Sequence, residues 1–287
     1  MDDKLFPQPP GEASFVAIGD SFTEGLNDAA PGGGFRGWAD RLAGLLAAEY
    51  PGLRYANLAV GGKLLRQIVA EQVPAAAKMQ PGLVSLAGGG NDILRPGSDP
   101  DTLAELFDAA VARLQGAGSR VLVFSACDPV AFPVIRLLRG RIAAYNMHLR
   151  AIADARDCYL VDLWSMPFLR TPAAWSADRL HLTARSHQRI ALRACEVLGV
   201  PVTEDWRAPL AADRAGRPSI GLNGTGLAQP GTSLSRAAWL AARRDDARWA
   251  REYLAPWVSR RLHGTSSGDG RQAKRPALEV ITPPITM

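Results

Sequence analysis

The chain has 287 residues, 47% of them hydrophobic and 21% charged, an ordinary composition for a folded protein with room for a sizeable core. No apolar run approaches the roughly 20 residues of a membrane span, and the first residues lack the basic-then-apolar order of a secretory signal. The net charge of +5 arises wholly beyond residue 200, because residues 1–200 hold 20 basic and 20 acidic side chains; the neutral body excludes the concentrated basic face of a nucleic-acid binder.

Taken in chain order, short apolar runs alternate with segments of helical spacing. Ser14–Ile18 reads as a buried strand stopped by Gly19-Asp20-Ser21, and Trp38–Tyr50 as a helix. Leu53–Val60 is a second strand ended by Gly61-Gly62, followed by a helix over Leu64–Ala77. A third strand, Leu83–Ala87, runs into Gly88-Gly89-Gly90, and a helix over Asp101–Leu114 has Asp99 or Asp101 as its cap. Arg120–Phe124 is a fourth strand, Ile135–Ala155 a long helix and Tyr159–Asp162 a fifth strand. Thr183–Leu198 closes the series, with Thr183 as cap. Strands alternating with helices predict an α/β fold on a parallel sheet, whose ligands bind beyond the carboxyl ends of the strands.

The domain reading assigns residues 1–200 to this α/β body, 201–233 to a Pro/Gly-rich linker or strap, 234–263 to a Trp/Arg-rich helix and 264–287 to a mobile tail. The Trp-rich helix packs on the body, covers the site as a lid, or docks a partner or membrane surface. Cys127, Cys158 and Cys195 form neither a disulfide framework nor a metal knuckle, so a reducing, cytoplasmic setting is expected.

Four polar or glycine-bearing turns carry the candidate chemistry. Ser21 follows the first strand, where it is either a helix cap or an exposed nucleophile. Gly61-Gly62 is either a plain turn or a backbone N–H donor. Asn91, after the glycine run, is either a cap or a neutral donor suited to a developing oxyanion. Asp178-Arg179-Leu180-His181 is either solvent-exposed, or places a carboxylate on His Nδ1–H and leaves Nε2 as a base. His148 reads as a surface or satisfied core residue, His187 as pointing away from the site, and Asp162 as a turn anchor. Phe22, Phe35 and Trp38 are candidates for a pocket wall near Ser21. The glycine-rich stretch 221–226 follows no strand and is read as linker, not a dinucleotide loop.

Together and in order, Gly19-Asp20-Ser21, Asn57 to Gly62, Gly89-Gly90-Asn91-Asp92 and Asp178 to His181 resemble the blocks of the GDSL-type esterases and lipases of the SGNH hydrolase superfamily, over about residues 14–200. Phe22 stands where that family's name has Leu, and Gly61 where a Ser is frequent. The resemblance implies a three-layer α/β/α, flavodoxin-like fold on a five-stranded parallel sheet, here with a C-terminal helical extension. It implies hydrolysis of small-molecule esters, short acyl groups favoured, through an acyl-serine: Ser21 as nucleophile, His181 as base and Asp178 orienting it. The oxyanion donors it implies are the N–H groups of Ser21 and Gly62 and the Asn91 amide. No cofactor and no metal are implied. An acyltransferase using the same acyl-serine and a non-catalytic acyl- or glycan-binding module are the alternatives.

Overall fold

The computed structural model describes residues 5–6, 12–131, 135–208, 248–249, 251–252, 268 and 270–283. Strand β1 (Ser14–Gly19) leads into a one-turn helix α1 (Ser21–Glu24), then α2 (Gly37–Glu49) and β2 (Arg54–Asn57). Helices α3 (Leu65–Gln67) and α4 (Val73–Met79) are joined by a π turn over Ile68–Gln72. Strand β3 (Leu83–Ala87) is followed by a second one-turn helix, α5 (Gly90–Ile93), and by α6 (Pro100–Gly116). Strand β4 (Arg120–Phe124), α7 (Arg139–Ala155), β5 (Tyr159–Val161), α8 (Ala184–Val197) and β6 (Arg275–Val280) complete the order.

The predicted elements recur within a few residues of their expected bounds. Asp99 caps α6 by accepting the N–H groups of Asp101 and Thr102, and Thr183 caps α8 by accepting that of Ser186. The first five strands are parallel, and the sheet order is β5-β4-β3-β1-β2-β6. Reversal of strand order beside β1 makes the β1/β3 crevice the topological switch point, where ligands of doubly wound sheets bind.

Both faces of the sheet are covered. Val16, Ile18, Val84, Leu86, Val121 and Val123 share one face with α3, α4, α6 and α7, packing on Ile68, Phe107, Val111, Tyr145 and Leu149. Trp38 and Leu42 of α2 and Ile190 and Ala191 of α8 are fully buried as those two helices pack together. This is the three-layer architecture of the SGNH hydrolases.

One strand exceeds the expected five. Arg275–Val280, read as part of a mobile tail, pairs antiparallel with β2, Tyr55 opposite Glu279 and Asn57 opposite Arg275, with a register irregularity between. Its sequence, Arg-Pro-Ala-Leu-Glu-Val, hides the strand, since proline and charge argue against a central position. An edge strand tolerates both: Pro276 can face its missing N–H outward, and charges blunt the open edge. Leu278 packs against the core.

Residues 1–208 and 270–287 form one unit and 209–269 a second. This first unit is therefore discontinuous in sequence: the stretch expected as a C-terminal extension is inserted between α8 and β6. Most of the expected linker over 201–233 and of the Trp-rich helix over 234–263 lies outside the described residues. Among the described residues no helix is long and apolar enough to cross a membrane.

Candidate active site

The turn that carries Ser21 is built by close approach. At the end of β1, a Cβ on Gly19 would lie 2.6 Å from the Ala87 carbonyl and 2.6 Å from Thr23 Oγ1, so only glycine fits. The Gln72 side chain, carried by the π turn, accepts the Gly19 N–H at 2.8 Å and donates to its carbonyl at 2.9 Å. Asp20 caps α1 by accepting the Phe22 N–H at 3.0 Å, which makes Ser21 the first helical residue. Its own N–H has no intrahelical acceptor in that position.

At the end of β3 the chain turns through Gly89, whose φ is +91° and whose Cβ would meet the Tyr145 hydroxyl at 2.5 Å. That hydroxyl donates to the Gly88 carbonyl at 3.2 Å. Helix α5 then presents Asn91, which donates its side-chain amide to Asp20 Oδ2 at 3.0 Å and to the Lys63 carbonyl at 3.2 Å. Burial of Asp20 disfavours its charge and raises the carboxyl to about 6, against the Phe22 N–H, His181 and Asn91, which favour the charge.

The third contribution is the loop before α8. A bridge between Trp175 and Leu182 closes it, and the Ser176 N–H donates to the His181 carbonyl at 2.8 Å. Asp178 Oδ1 accepts the N–H groups of Leu180 and His181, each at 3.0 Å. Oδ2 lies 2.7 Å from His181 Nδ1, and His181 Nε2 lies 3.1 Å from Ser21 Oγ. Partial burial works against an ionised Asp178, but His181 and the two N–H groups outweigh it and hold the carboxyl well below its usual range. A charged carboxylate on Nδ1 fixes the tautomer that leaves Nε2 facing the serine.

The fold thus brings together Ser21, Asp178 and His181, from two loops 160 residues apart. The glycine pair resolves as well. The Gly61 N–H donates to Glu24 Oε2 at 2.8 Å, and a Cβ there would meet that oxygen at 2.8 Å, which accounts for glycine in place of serine. The Gly62 N–H has no acceptor among the described residues.

Sequence reading missed several supports. Asn27, with φ +71°, donates its amide to Asp178 Oδ2 at 2.7 Å and to Ser176 Oγ at 2.8 Å. Gln72 and Glu24 act on backbone groups, which leaves no motif to read. His187, expected to point away from the site, makes its contacts with α2 and Phe22. It is buried on the face of α8 that meets α2, accepts the Trp38 N–H on Nδ1 at 3.2 Å and stacks on Phe22. Trp38 packs on Phe22 and Phe124 and is fully buried, so it backs α1 without lining open space. His148 is a surface residue paired with Asp101, and Asp162 anchors Ser125 and Arg150. Among the described residues no three His, Cys, Asp or Glu side chains gather as a metal site.

A sequence profile described as the GDSL-like Lipase/Acylhydrolase family matches residues 17–189, from β1 into α8. The chain belongs to this family. Solved structures similar to this GDSL-like hydrolase include LAE5, an alpha/beta hydrolase enzyme from the metagenome of Lake Arreo, Spain. It is 24% identical with a TM-score of 0.56, over 66% of this chain and 95% of its own. Axe2, an acetylxylan esterase from Geobacillus stearothermophilus, is 22% identical with a TM-score of 0.56, over 68% and 95%. TesA is 24% identical with a TM-score of 0.53, over 64% and 97%. These likenesses establish the shared fold. A search of curated proteins finds no match to the sequence. Membership of a lipase and acylhydrolase family supports ester hydrolysis as the general chemistry.

Proposed function

We propose that this GDSL-like hydrolase cleaves carboxylic esters of short acyl groups through an acyl-serine. The observation that carries the reading is the unbroken chain from Asp178 Oδ2 through His181 to Ser21 Oγ, at 2.7 and 3.1 Å. His181 Nε2 takes the Ser21 proton as Oγ attacks the ester carbonyl, and Asp178 stabilises the imidazolium. The oxyanion is held by the N–H groups of Ser21 and Gly62. Asn91 supplies a third donor: Asp20 fixes one amide hydrogen, and the other, on the Lys63 carbonyl at 3.2 Å, turns to the oxyanion. The alcohol leaves with the proton of His181, and water, deprotonated by the same nitrogen, releases the acid.

Acetyl esters are the first substrates to try. One structural neighbour, 20% identical, is described as an acetyl-xylooligosaccharide esterase. Hydrolysis of p-nitrophenyl acetate, butyrate, octanoate and palmitate by wild type and Ser21→Ala tests the reading. The expected result is turnover highest on acetate and at least about 10³-fold lower in the variant. Turnover kept by Ser21→Ala would remove Ser21 as nucleophile, and a maximum at palmitate would overturn the short-acyl assignment.

A further inference from the structure

We propose that Arg271 and Glu24 are positioning residues for the oxyanion loop, so that a segment beyond the family-matched region completes the site. The inference rests on the reading of Gly62 as an oxyanion donor.

Glu24 is the last residue of α1, and its side chain is 5% exposed. Its two oxygens are divided: Oε2 accepts the Gly61 N–H at 2.8 Å, and Oε1 accepts the Arg271 guanidinium. Gly61 and Gly62 are consecutive, so the N–H that Glu24 holds and the N–H read as the oxyanion donor lie on successive peptide planes joined at Gly61 Cα, and fixing the first restricts the second. The loop also lies against the nucleophile, since a Cβ on Gly61 would sit 3.5 Å from Ser21 Cβ and 3.7 Å from Arg271 Nη1. A carboxylate this buried depends on its cation. Without Arg271 the carboxylate loses the partner of Oε1 and withdraws toward water, which loosens Gly61.

Lys274, three residues on, grips the same place. Its ammonium donates to the carbonyls of Glu24, Phe35 and Arg36 at 2.7, 3.0 and 2.8 Å and lies 3.0 Å from Asp40 Oδ1. The Glu24 carbonyl ends the helix that carries Ser21. Pairing of β6 with β2 delivers both cations to these partners. Arg271 and Lys274 lie some eighty residues past the end of the family match at 189, so the family pattern does not contain this clamp.

The test uses the full-length protein, with p-nitrophenyl acetate turnover and the rate of Ser21 labelling by a fluorophosphonate as readouts. Arg271→Ala should lower kcat and the labelling rate roughly 10- to 100-fold, with KM within about threefold, as expected for displacing one oxyanion donor without removing it. Arg271→Lys, or guanidinium added to Arg271→Ala at tens of millimolar, should restore part of both. A double-mutant cycle guards against a folding defect. Glu24→Gln needs no counter-ion and can still accept the Gly61 N–H, so adding it to Arg271→Ala should recover most of the lost kcat.

A purely structural ion pair would instead lower Tm with kcat unchanged, which overturns the inference. So would loss of kcat that neither guanidinium nor Glu24→Gln relieves. The two readings fail separately. Undiminished activity in Ser21→Ala, or a folded wild type that neither turns over nor labels, sinks the esterase reading and the inference with it. An inert Ser21→Ala beside a fully active Arg271→Ala sinks the inference alone.

Discussion

Two buried residues near the site bind protons with opposite consequences. Burial holds His187 neutral and pushes it down to about 4, while Asp28 nearby favours its charge. Its stabilising effect is complete above the unfolded value near 6.5 and is lost as pH falls through 4, about 3 kcal/mol in all. Asp20 runs the other way. Its folded value of about 6 exceeds the unfolded 3.8, so a penalty stands above pH 6 and is relieved as pH falls toward 3.8, by a similar amount. The two partly cancel in wild type between neutral pH and 4.5. Urea unfolding at pH 7 and 4.5 should show His187→Gln gaining stability on acidification and Asp20→Asn losing it. Parallel behaviour of the two variants would contradict both assignments. Of these residues, only Asp20 sits inside a recognisable block. His187 reads as a bystander because six residues of separation from His181 say nothing about which helix face it occupies. Ser21, Asp178 and His181 stand out in the sequence only because four short blocks in one order resemble those of a family; each turn alone reads as readily as a cap or an exposed pair. Asn27 was not, because any exposed amide reads as solvated.

Among the elements, the π turn between α3 and α4 is the one whose irregularity has a use. It aims Gln72 beneath β1, where one amide satisfies both the N–H and the carbonyl of Gly19. Gln72→Leu should leave both groups buried without partners and cost about 2–4 kcal/mol, seen as a lower urea midpoint at unchanged m. A midpoint equal to wild type would mean that water replaces the side chain. Apolar periodicity gave this stretch as an unbroken helix, since the extra residue of a π turn leaves no mark in a pattern only two turns long. The one-turn helices α1 and α5 escaped for the same reason, although their strand-end glycines flagged both places. Strands β1, β3 and β4 were plain because a parallel strand covered on both faces reads as a continuous apolar run.

For the whole molecule, β6 is the element that the sequence concealed, because its stability comes from pairing with β2 and from the charges it delivers, not from its own composition. Removing residues 270–283 strips the outer edge of β2 and the Lys274 anchor. The truncated protein should melt roughly 5–10 °C lower and associate with rising concentration in light scattering. A monomer with wild-type Tm would mean that β6 adds nothing to the sheet. The pairing also fixes an order of events during synthesis. Between Asn57 at the end of β2 and Arg275 at the start of β6 lie 217 residues. At roughly 5–20 residues per second, the ribosome takes on the order of ten to forty seconds to make them. For nearly all of that interval the nascent chain carries Ser21 and an open strand edge, with neither Arg271 nor Lys274 yet made. A ribosome-bound chain halted after α8 should therefore hold Ser21, Asp178 and His181 and still react slowly, with full reactivity arriving only when the residues that seal the edge also seat the oxyanion loop.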